Sequence, residues 1–200
     1  MSKRRMATAS ITVAVLMLMA VSSVASAHRP GPRIWIRGFD NVWIDRAGVD
    51  GFTAAPGDRD LILALRGNDV VDAGDRNDLV YGDGGNDTIV AGLGMDRVRG
   101  GLGDDDIDAG GGWDRVDGGP GADQIDGGTG LDRLFGGSGP DTIVGGRGPD
   151  IIDAGLGDDT VDVVDGRRDL VRCGQGNDSV TADPQDRVGR SCEIVVRVTP

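Results

Sequence analysis

An aspartate recurs every nine residues across about half of the chain, and this period constrains the fold more than any other feature. The series runs without a slip from Asp60 to Asp159. An aliphatic residue stands two positions after each aspartate, and from Asp69 onward a glycine stands two positions before it, except at Arg76. A short repeat of fixed length indicates that one structural unit recurs along the chain.

The residue types in the repeat suit the binding of a hard cation. Glycines let the backbone adopt positive φ and turn tightly, so that several carbonyl oxygens can converge on one point. The aspartate adds a carboxylate on a short stem, and oxygen ligands of these two kinds are what Ca²⁺ takes. All 33 acidic residues except Glu193 are aspartate. A merely solvated acidic surface, the alternative interpretation, would mix aspartate and glutamate.

The clearest units resemble a known calcium-binding repeat. They read GGPGADQID, GGTGLDRLF and GGSGPDTIV at residues 118–126, 127–135 and 136–144. This is the nonapeptide G-G-x-G-x-D-x-U-x, and the chain is similar to the RTX, or hemolysin-type, calcium-binding proteins of bacteria over about half its length. The resemblance implies an all-β fold, a parallel β-roll of about 18 residues per coil, with Ca²⁺ between stacked loops.

In such a roll, residues 18 apart become neighbours, so the aspartates should form two columns. Arg76 and Asp83 replace loop glycines and make the loops of Asp78 and Asp87 less regular. The most regular loops lie between Gly100 and Gly148. The carboxylates expected to bind calcium are Asp69, Asp78, Asp87, Asp96, Asp105, Asp114, Asp123, Asp132, Asp141, Asp150, Asp159 and Asp178.

The repeat predicts a fold that depends on its metal. Each unit buries a single aliphatic side chain, which offsets little of the conformational entropy lost on ordering nine residues. The carboxylates also repel one another when no cation lies between them. We therefore predict that the roll is largely unfolded without Ca²⁺ and folds when it binds.

Composition and the first residues predict an exported, acidic chain. Residues 1–27 have the form of a secretory signal peptide, with Lys3-Arg4-Arg5, a short apolar run and Ala25-Ser26-Ala27 before the cleavage point. The apolar run is too short for a membrane span. Removal of the segment leaves 18 basic and 33 acidic residues, a net charge of −15. That charge disfavours nucleic acid and anionic membrane as partners, and we expect an extracellular monomer.

The sequence divides the exported chain into three parts. Residues 28–56 hold Trp35 and Trp43 in two β-like runs, interpreted as a cap on the first coil, with an aromatic binding platform as the alternative. Residues 57–162 form the roll. Residues 163–200 contain degenerate repeats and a closing cap, after a one-residue slip at Val163-Val164. In an exported chain Cys173 and Cys192 should form a disulfide, with two free thiols as the alternative.

No catalytic constellation accompanies the repeats. His28 is the single histidine, so neither a zinc motif nor a Ser-His-Asp triad is present, and we expect no enzyme. The favoured function is calcium binding with a structural or adhesive role at the cell surface. The alternative is an interaction module that binds a protein or polysaccharide through the face carrying Leu79, Tyr81, Arg115 and Arg133. An ice-binding array is disfavoured because Asp106 and Gln124 interrupt its threonines.

Overall fold

Two parallel β-sheets lie on either side of one narrow core. The computed structural model describes residues 41–44, 51–53 and 59–199, all within a compact unit spanning Gly31–Pro200. The strands are β1 (Asn41–Ile44), β2 (Gly51–Thr53), β3 (Asp60–Leu63), β4 (Val70–Asp72), β5 (Leu79–Gly84), β6 (Thr88–Val90), β7 (Leu93–Gly94), β8 (Arg97–Leu102), β9 (Asp106–Asp108), β10 (Gly111–Gly112), β11 (Arg115–Pro120), β12 (Gln124–Asp126), β13 (Thr129–Gly130), β14 (Arg133–Ser138), β15 (Thr142–Val144), β16 (Ile151–Leu156), β17 (Thr160–Val163), β18 (Leu170–Gln175), β19 (Ser179–Ala182), β20 (Arg187–Val188) and β21 (Ile194–Arg197).

Apart from β7, β10 and β13, successive strands alternate between the two sheets, and this path of the chain forms the solenoid. The first sheet has the order β1-β3-β5-β8-β11-β14-β16-β18-β20, and the second has the order β2-β4-β6-β9-β12-β15-β17-β19-β21. A small third sheet joins β7, β10 and β13 along one loop edge. Val80 pairs with Val98 and Val98 with Val116, so the repeat along each regular sheet is 18 residues. The all-β parallel roll predicted from the nonapeptide is confirmed.

The core is a single file of aliphatic side chains from each sheet. A typical strand of the second sheet is three residues long and exposes its first and last residues, while the middle one is buried. This is the alternation of a strand with one inward position. The largest fully buried side chains are Ile62, Ile89, Ile107, Leu134, Ile143, Ile152, Val71, Val80, Val116, Val161, Val163 and Val171.

The sheets continue beyond the regular repeats with altered coil lengths. Ile151 pairs with Leu170 and Thr160 with Ser179, a spacing of 19 that accommodates the slip predicted at Val163-Val164. Val163 is buried in the core, whereas Val164 is half-buried. The next coil is shorter, since Leu170 pairs with Arg187. The ladder thus extends past residue 162 to β20 and β21.

The region before the repeats is described only in part. The predicted signal peptide and Trp35 lie outside the described residues. The second tryptophan run falls within β1, which pairs in parallel with β3, so Asn41 lies beside Asp60. The cap function of residues 28–56 stays a prediction.

The two cysteines form a disulfide at the end of the roll. Cys173 and Cys192 are bonded, with their α-carbons 5.2 Å apart. Cys173 is fully buried among the aliphatic side chains, and Cys192 packs against the same core. The bond ties residues close to β21 back to β18 and so restrains the last coil.

Removing this disulfide should destabilise the roll without changing its fold. In the double variant Cys173→Ala/Cys192→Ser, the alanine takes a core position like that of Ala154, while the 19-residue cross-link is lost. We expect the calcium-loaded protein to lose about 3 kcal/mol of unfolding free energy. Thermal melting by circular dichroism checks this, and an unchanged melting temperature would contradict it.

Candidate metal centre

Two rows of buried aspartates run along the solenoid, one beside each sheet. The first row begins the strands of the first sheet, and the second row begins those of the second. Every member is at most 6% exposed, although carboxylates are seldom buried without partners. The first row consists of Asp60, Asp78, Asp96, Asp114, Asp132, Asp150, Asp169 and Asp186. The second row consists of Asp69, Asp87, Asp105, Asp123, Asp141, Asp159 and Asp178.

One oxygen of each carboxylate belongs to a hydrogen-bond ladder between coils. The backbone N–H of Asp105 donates to Oδ1 of Asp123 at 2.9 Å, and the N–H of Asp123 donates to Oδ1 of Asp141 at 2.9 Å. The same bond recurs along both rows. At the far end, the N–H of Asp178 donates to Oε2 of Glu193 at 3.0 Å. The ladder fixes the orientation of every carboxylate in the stack.

The second oxygen points to a cation. In twelve of these aspartates, Oδ2 is buried and has no hydrogen-bond partner within the described residues. An unpaired buried carboxylate oxygen is costly, and its recurrence in every coil indicates that a ligand compensates it. The aspartates that share this feature are Asp78, Asp87, Asp96, Asp105, Asp114, Asp123, Asp132, Asp141, Asp150, Asp159, Asp169 and Asp178.

Main-chain carbonyl oxygens lie near the carboxylates and would provide the remaining ligands of a cation. A methyl group built on Gly118 would lie 2.5 Å from Oδ2 of Asp123 and 2.7 Å from the carbonyl oxygen of Gly136. The glycine therefore leaves room where a carboxylate of one coil and a carbonyl of the next converge. Among the described residues, no three acidic, histidine or cysteine side chains form a metal cluster. A cation here would rely on carbonyl oxygens as well as carboxylates, and Ca²⁺ accepts both.

Several loops of the two rows differ in the residue five positions before the aspartate, which is the position of Gly118 in the loop of Asp123. In the second row the position is glycine in four successive loops, at Gly82, Gly100, Gly118 and Gly136, each with Oδ2 of its own aspartate close to the missing methyl. In the first row it is alanine at Ala73, Ala91 and Ala109, and each methyl is buried in the core. These four loops of the second row therefore leave more room beside their carboxylates than the three alanine loops do. Glycine returns in the first row at Gly127 and Gly145, and alanine occurs in the second row at Ala64 and Ala154.

Backbone conformation explains the other loop glycines. Gly119 and Gly121 have φ of 115° and 156°, and the same pair of positive values recurs in successive loops. At the two irregular loops, Arg76 and Asp83 adopt φ of 85° and 68°. The loops thus keep their shape there at a cost in backbone strain, since side-chain-bearing residues seldom adopt positive φ.

Burial raises the pKa of the row carboxyls. Desolvation is the main cause, opposed by the backbone hydrogen bond and reinforced by like charges in adjacent coils. The pKa of Asp114 rises from 3.8 to about 6, and the pKa of Asp105 rises to about 7. The pKa of Asp123 is raised by the same desolvation. A cation beside Asp105 would lower the pKa of its carboxyl and so favour the ionised form near neutral pH.

These pKa values predict that the metal-free fold becomes less stable as the pH rises towards neutrality. A carboxyl whose folded-state pKa is raised stabilises the fold below its ordinary pKa, and that stability is lost as pH rises through the folded-state value. Since Asp96 and Asp150 titrate at about 7 in the fold against 3.8 ordinarily, the chain in EDTA should retain more β-structure at about pH 5.5 than at about pH 8. Circular dichroism at the two pH values checks this, and equal or greater structure at the higher pH would contradict it.

All twelve aspartates expected from the sequence lie in the two rows. Four further carboxylates outside that set belong to the ladder: Asp60, Asp169 and Asp186 in the first row, and Glu193 beside Asp178. Asp169 follows the one-residue insertion, where the repeat resumes, and that resumption was a usable signal. Asp186 and Glu193 break the nine-residue spacing, so periodicity could not find them.

The fold and the rows define a cation-binding parallel β-roll, and family comparison agrees. The RTX calcium-binding nonapeptide repeat (4 copies) matches residues 63–97, 90–125 and 126–161. The chain belongs to this repeat family, and calcium is its cation. Comparison with curated proteins and with solved structures returned no match. Within the described ranges, no helix has the length and apolarity needed to cross a membrane.

Proposed function

We propose that the aspartate rows hold calcium between successive coils and that the loaded roll is an extracellular structural or adhesive element. The observation that carries the proposal is the row of buried Oδ2 atoms without hydrogen-bond partners. The residues proposed to hold the ions are the twelve aspartates predicted from the sequence, together with Asp169. Loop carbonyls such as that of Gly136 would share the ions.

Calcium would act on folding rather than on a reaction. It supplies positive charge between carboxylates that otherwise repel one another, and so lets Asp96 and Asp114 remain ionised in the interior. Binding is then coupled to folding. Outside cells, calcium modules with dissociation constants of about 10⁻⁴–10⁻³ M suffice, in agreement with the signal peptide that we infer at residues 1–27.

Replacing one carboxylate in the middle of the second row tests the placement of the ions. Asp123→Asn keeps an oxygen for the N–H of Asp105 but replaces the charged Oδ2 with an amide. We expect the chain from His28 onward to bind at least one Ca²⁺ fewer in equilibrium dialysis and to require about tenfold more calcium to fold.

The matched control is Asp104→Asn in the same loop. Asp104 is exposed and accepts an N–H from Ala122 at 2.9 Å, while Asn86 holds the equivalent position one coil earlier. This variant also removes one negative charge, yet it should bind calcium like the parent chain. Equal losses in the two variants would assign the effect to net charge and refute the placement.

A second candidate function is an interaction module on the outer face of the first sheet. Arg97, Arg115 and Arg133 stand directly opposite one another on neighbouring strands, and all three are exposed. The Arg115 guanidinium lies 4.3 Å from the centre of the Phe135 ring, which orders it. Ordered, exposed cations in a strongly acidic chain favour a partner that carries negative charge.

A further inference from the structure

The outer faces of the two sheets carry opposite charge. On the face of the first sheet, from β5 to β20, the charged side chains are Asp83, Arg97, Arg99, Arg115, Asp117, Arg133, Asp153, Arg172 and Arg187. We call this the arginine face. Its formal charge is +3, from six arginines and three aspartates, in a chain whose total charge is −12.

The outer face of the second sheet is acidic throughout. From β4 to β19, its charged side chains are Asp72, Asp106, Asp108, Asp126 and Asp162, all exposed. We call this the aspartate face. Its formal charge is −5, and no basic residue interrupts it over these strands. These aspartates are distinct from the buried rows, because their side chains point away from the core.

Each face places like charges opposite one another. Arg97, Arg115 and Arg133 are in register across three strands, and so are Asp108 and Asp126 across two. Like charges directly opposite on neighbouring strands are destabilising. On the arginine face, the one ion pair between described residues joins Arg99 and Asp117 at 3.7 Å. The roll itself therefore leaves most of this repulsion uncompensated.

We propose that the arginine face of one molecule docks on the aspartate face of a second copy of the same chain. Both faces repeat once per coil, with the strand spacing of about 4.8 Å common to all sheets. The arginines of β8, β11 and β14 can thus meet the aspartates of β9 and β12 in step. The two faces lie on opposite sides of one core, so each docked molecule still presents one face of each sign. Such a heterologous contact builds an open stack.

Apolar side chains on both faces support a protein partner of this shape. Tyr81 and Phe135 are half-buried on the arginine face, while Val90 and Val144 on the aspartate face are 39% and 38% exposed. Contact between the faces would bury apolar area together with the charges. A flexible polyanion could satisfy the arginines but would leave the aspartate face and its valines in water.

The inference rests on the proposed interaction function and on a roll folded by calcium, so folding and association are measured together. We would examine the chain from His28 onward in saturating calcium by sedimentation velocity over a range of protein concentrations, with circular dichroism on the same samples. Association that grows with concentration is expected at low salt. It should weaken about tenfold or more in about 0.5 M NaCl, which screens charges beyond a few ångströms.

Charge exchange gives the decisive comparison. The variant Arg97→Glu/Arg115→Glu/Arg133→Glu makes the arginine face acidic, and the variant Asp106→Arg/Asp108→Arg/Asp126→Arg makes the aspartate face basic. Each alone should remain monomeric, because its two faces then have the same sign. An equimolar mixture should associate again. The control is Arg147→Glu, an exposed loop residue on neither face, which should behave like the parent chain.

Three results would overturn the inference. The parent chain could be folded and monomeric at every concentration; the reversed variants could associate as the parent does; or their mixture could remain monomeric while each variant shows the β spectrum. A folded monomer that binds a polyanion probe such as polyglutamate through its arginines would assign that face to a different partner. A chain that stays unfolded in calcium would instead refute the calcium-folding proposal. The circular dichroism spectrum detects that outcome directly.

Discussion

Removing calcium at neutral pH should convert the roll from β-structure to coil in a single cooperative transition. The main reason is the free-energy cost of ionising the buried carboxyls when no metal is bound. An aspartate with a folded-state pKa of about 7 against 3.8 ordinarily, as at Asp105 and Asp141, costs the metal-free fold about 4 kcal/mol once it ionises. Several such groups act together on a fold whose whole stability is typically only about 5–15 kcal/mol. The small core cannot offset that cost.

The measurement is circular dichroism of the chain from His28 onward at about pH 7.5, first in EDTA and then during a calcium titration. We expect the β spectrum to appear steeply with Ca²⁺, because each coil folds on its neighbour. Magnesium at the same concentration is the control, since it gives up its water less readily and demands stricter geometry. A cooperative β spectrum in excess EDTA would show that packing and the disulfide suffice.

Adding a single methyl group to Gly112 should disrupt the roll even when calcium is saturating. Gly112 has φ of 149°, and a methyl there would overlap the carbonyl oxygen of Gly94 in the preceding coil. Both atoms belong to the main chain, so neither can move without breaking the pairing of β7 with β10. We expect Gly112→Ala to cost about 4 kcal/mol or more of unfolding free energy.

The neighbouring residue provides the control. Gly111 lies in the same strand but has no positive φ. A methyl there would lie closest to two side-chain atoms, Cδ2 of Leu93 and Oγ1 of Thr129, each at 3.1 Å, while the carbonyl oxygen of Thr129 is 4.0 Å away. Those side-chain atoms can rotate away, so Gly111→Ala should cost less than about 1 kcal/mol. Denaturant unfolding of both variants in calcium measures the difference. Similar losses would mean that the loops tolerate positive φ with a side chain, as Arg76 already does.

The nine-residue period and the resemblance to the RTX nonapeptide together predicted the roll and most of its aspartate rows. The resemblance supplied a coil of two repeats, and the spacing then specified which residues stack. Asp114 and Asp132 could therefore be placed as neighbours before any coordinates. The disulfide also followed from the residues, and Cys173 and Cys192 are bonded as expected.

The sequence could not show how the carboxylate oxygens divide their roles. The bond from the N–H of Asp114 to Oδ1 of Asp132 depends on the rise between coils and on side-chain rotamers. Neither can be deduced from the spacing of the aspartates. Nor could it show that Ala91 and Gly100 create different room beside Asp96 and Asp105. Asp186 was recognised as part of a degenerate repeat but not as a member of the row, because the last coils change length and the nine-residue spacing no longer applies there.

The ladder of backbone N–H groups and Oδ1 atoms gives the roll a direction. Each carboxylate is held by the coil before it, and each coil offers its own N–H to the coil after it. Two coils can consequently be joined in one orientation only. Duplication or loss of a whole regular coil, 18 residues as between Val98 and Val116, would leave every bond matched. The length of the molecule is thus free to change in steps of one coil while the chemistry of each loop stays the same.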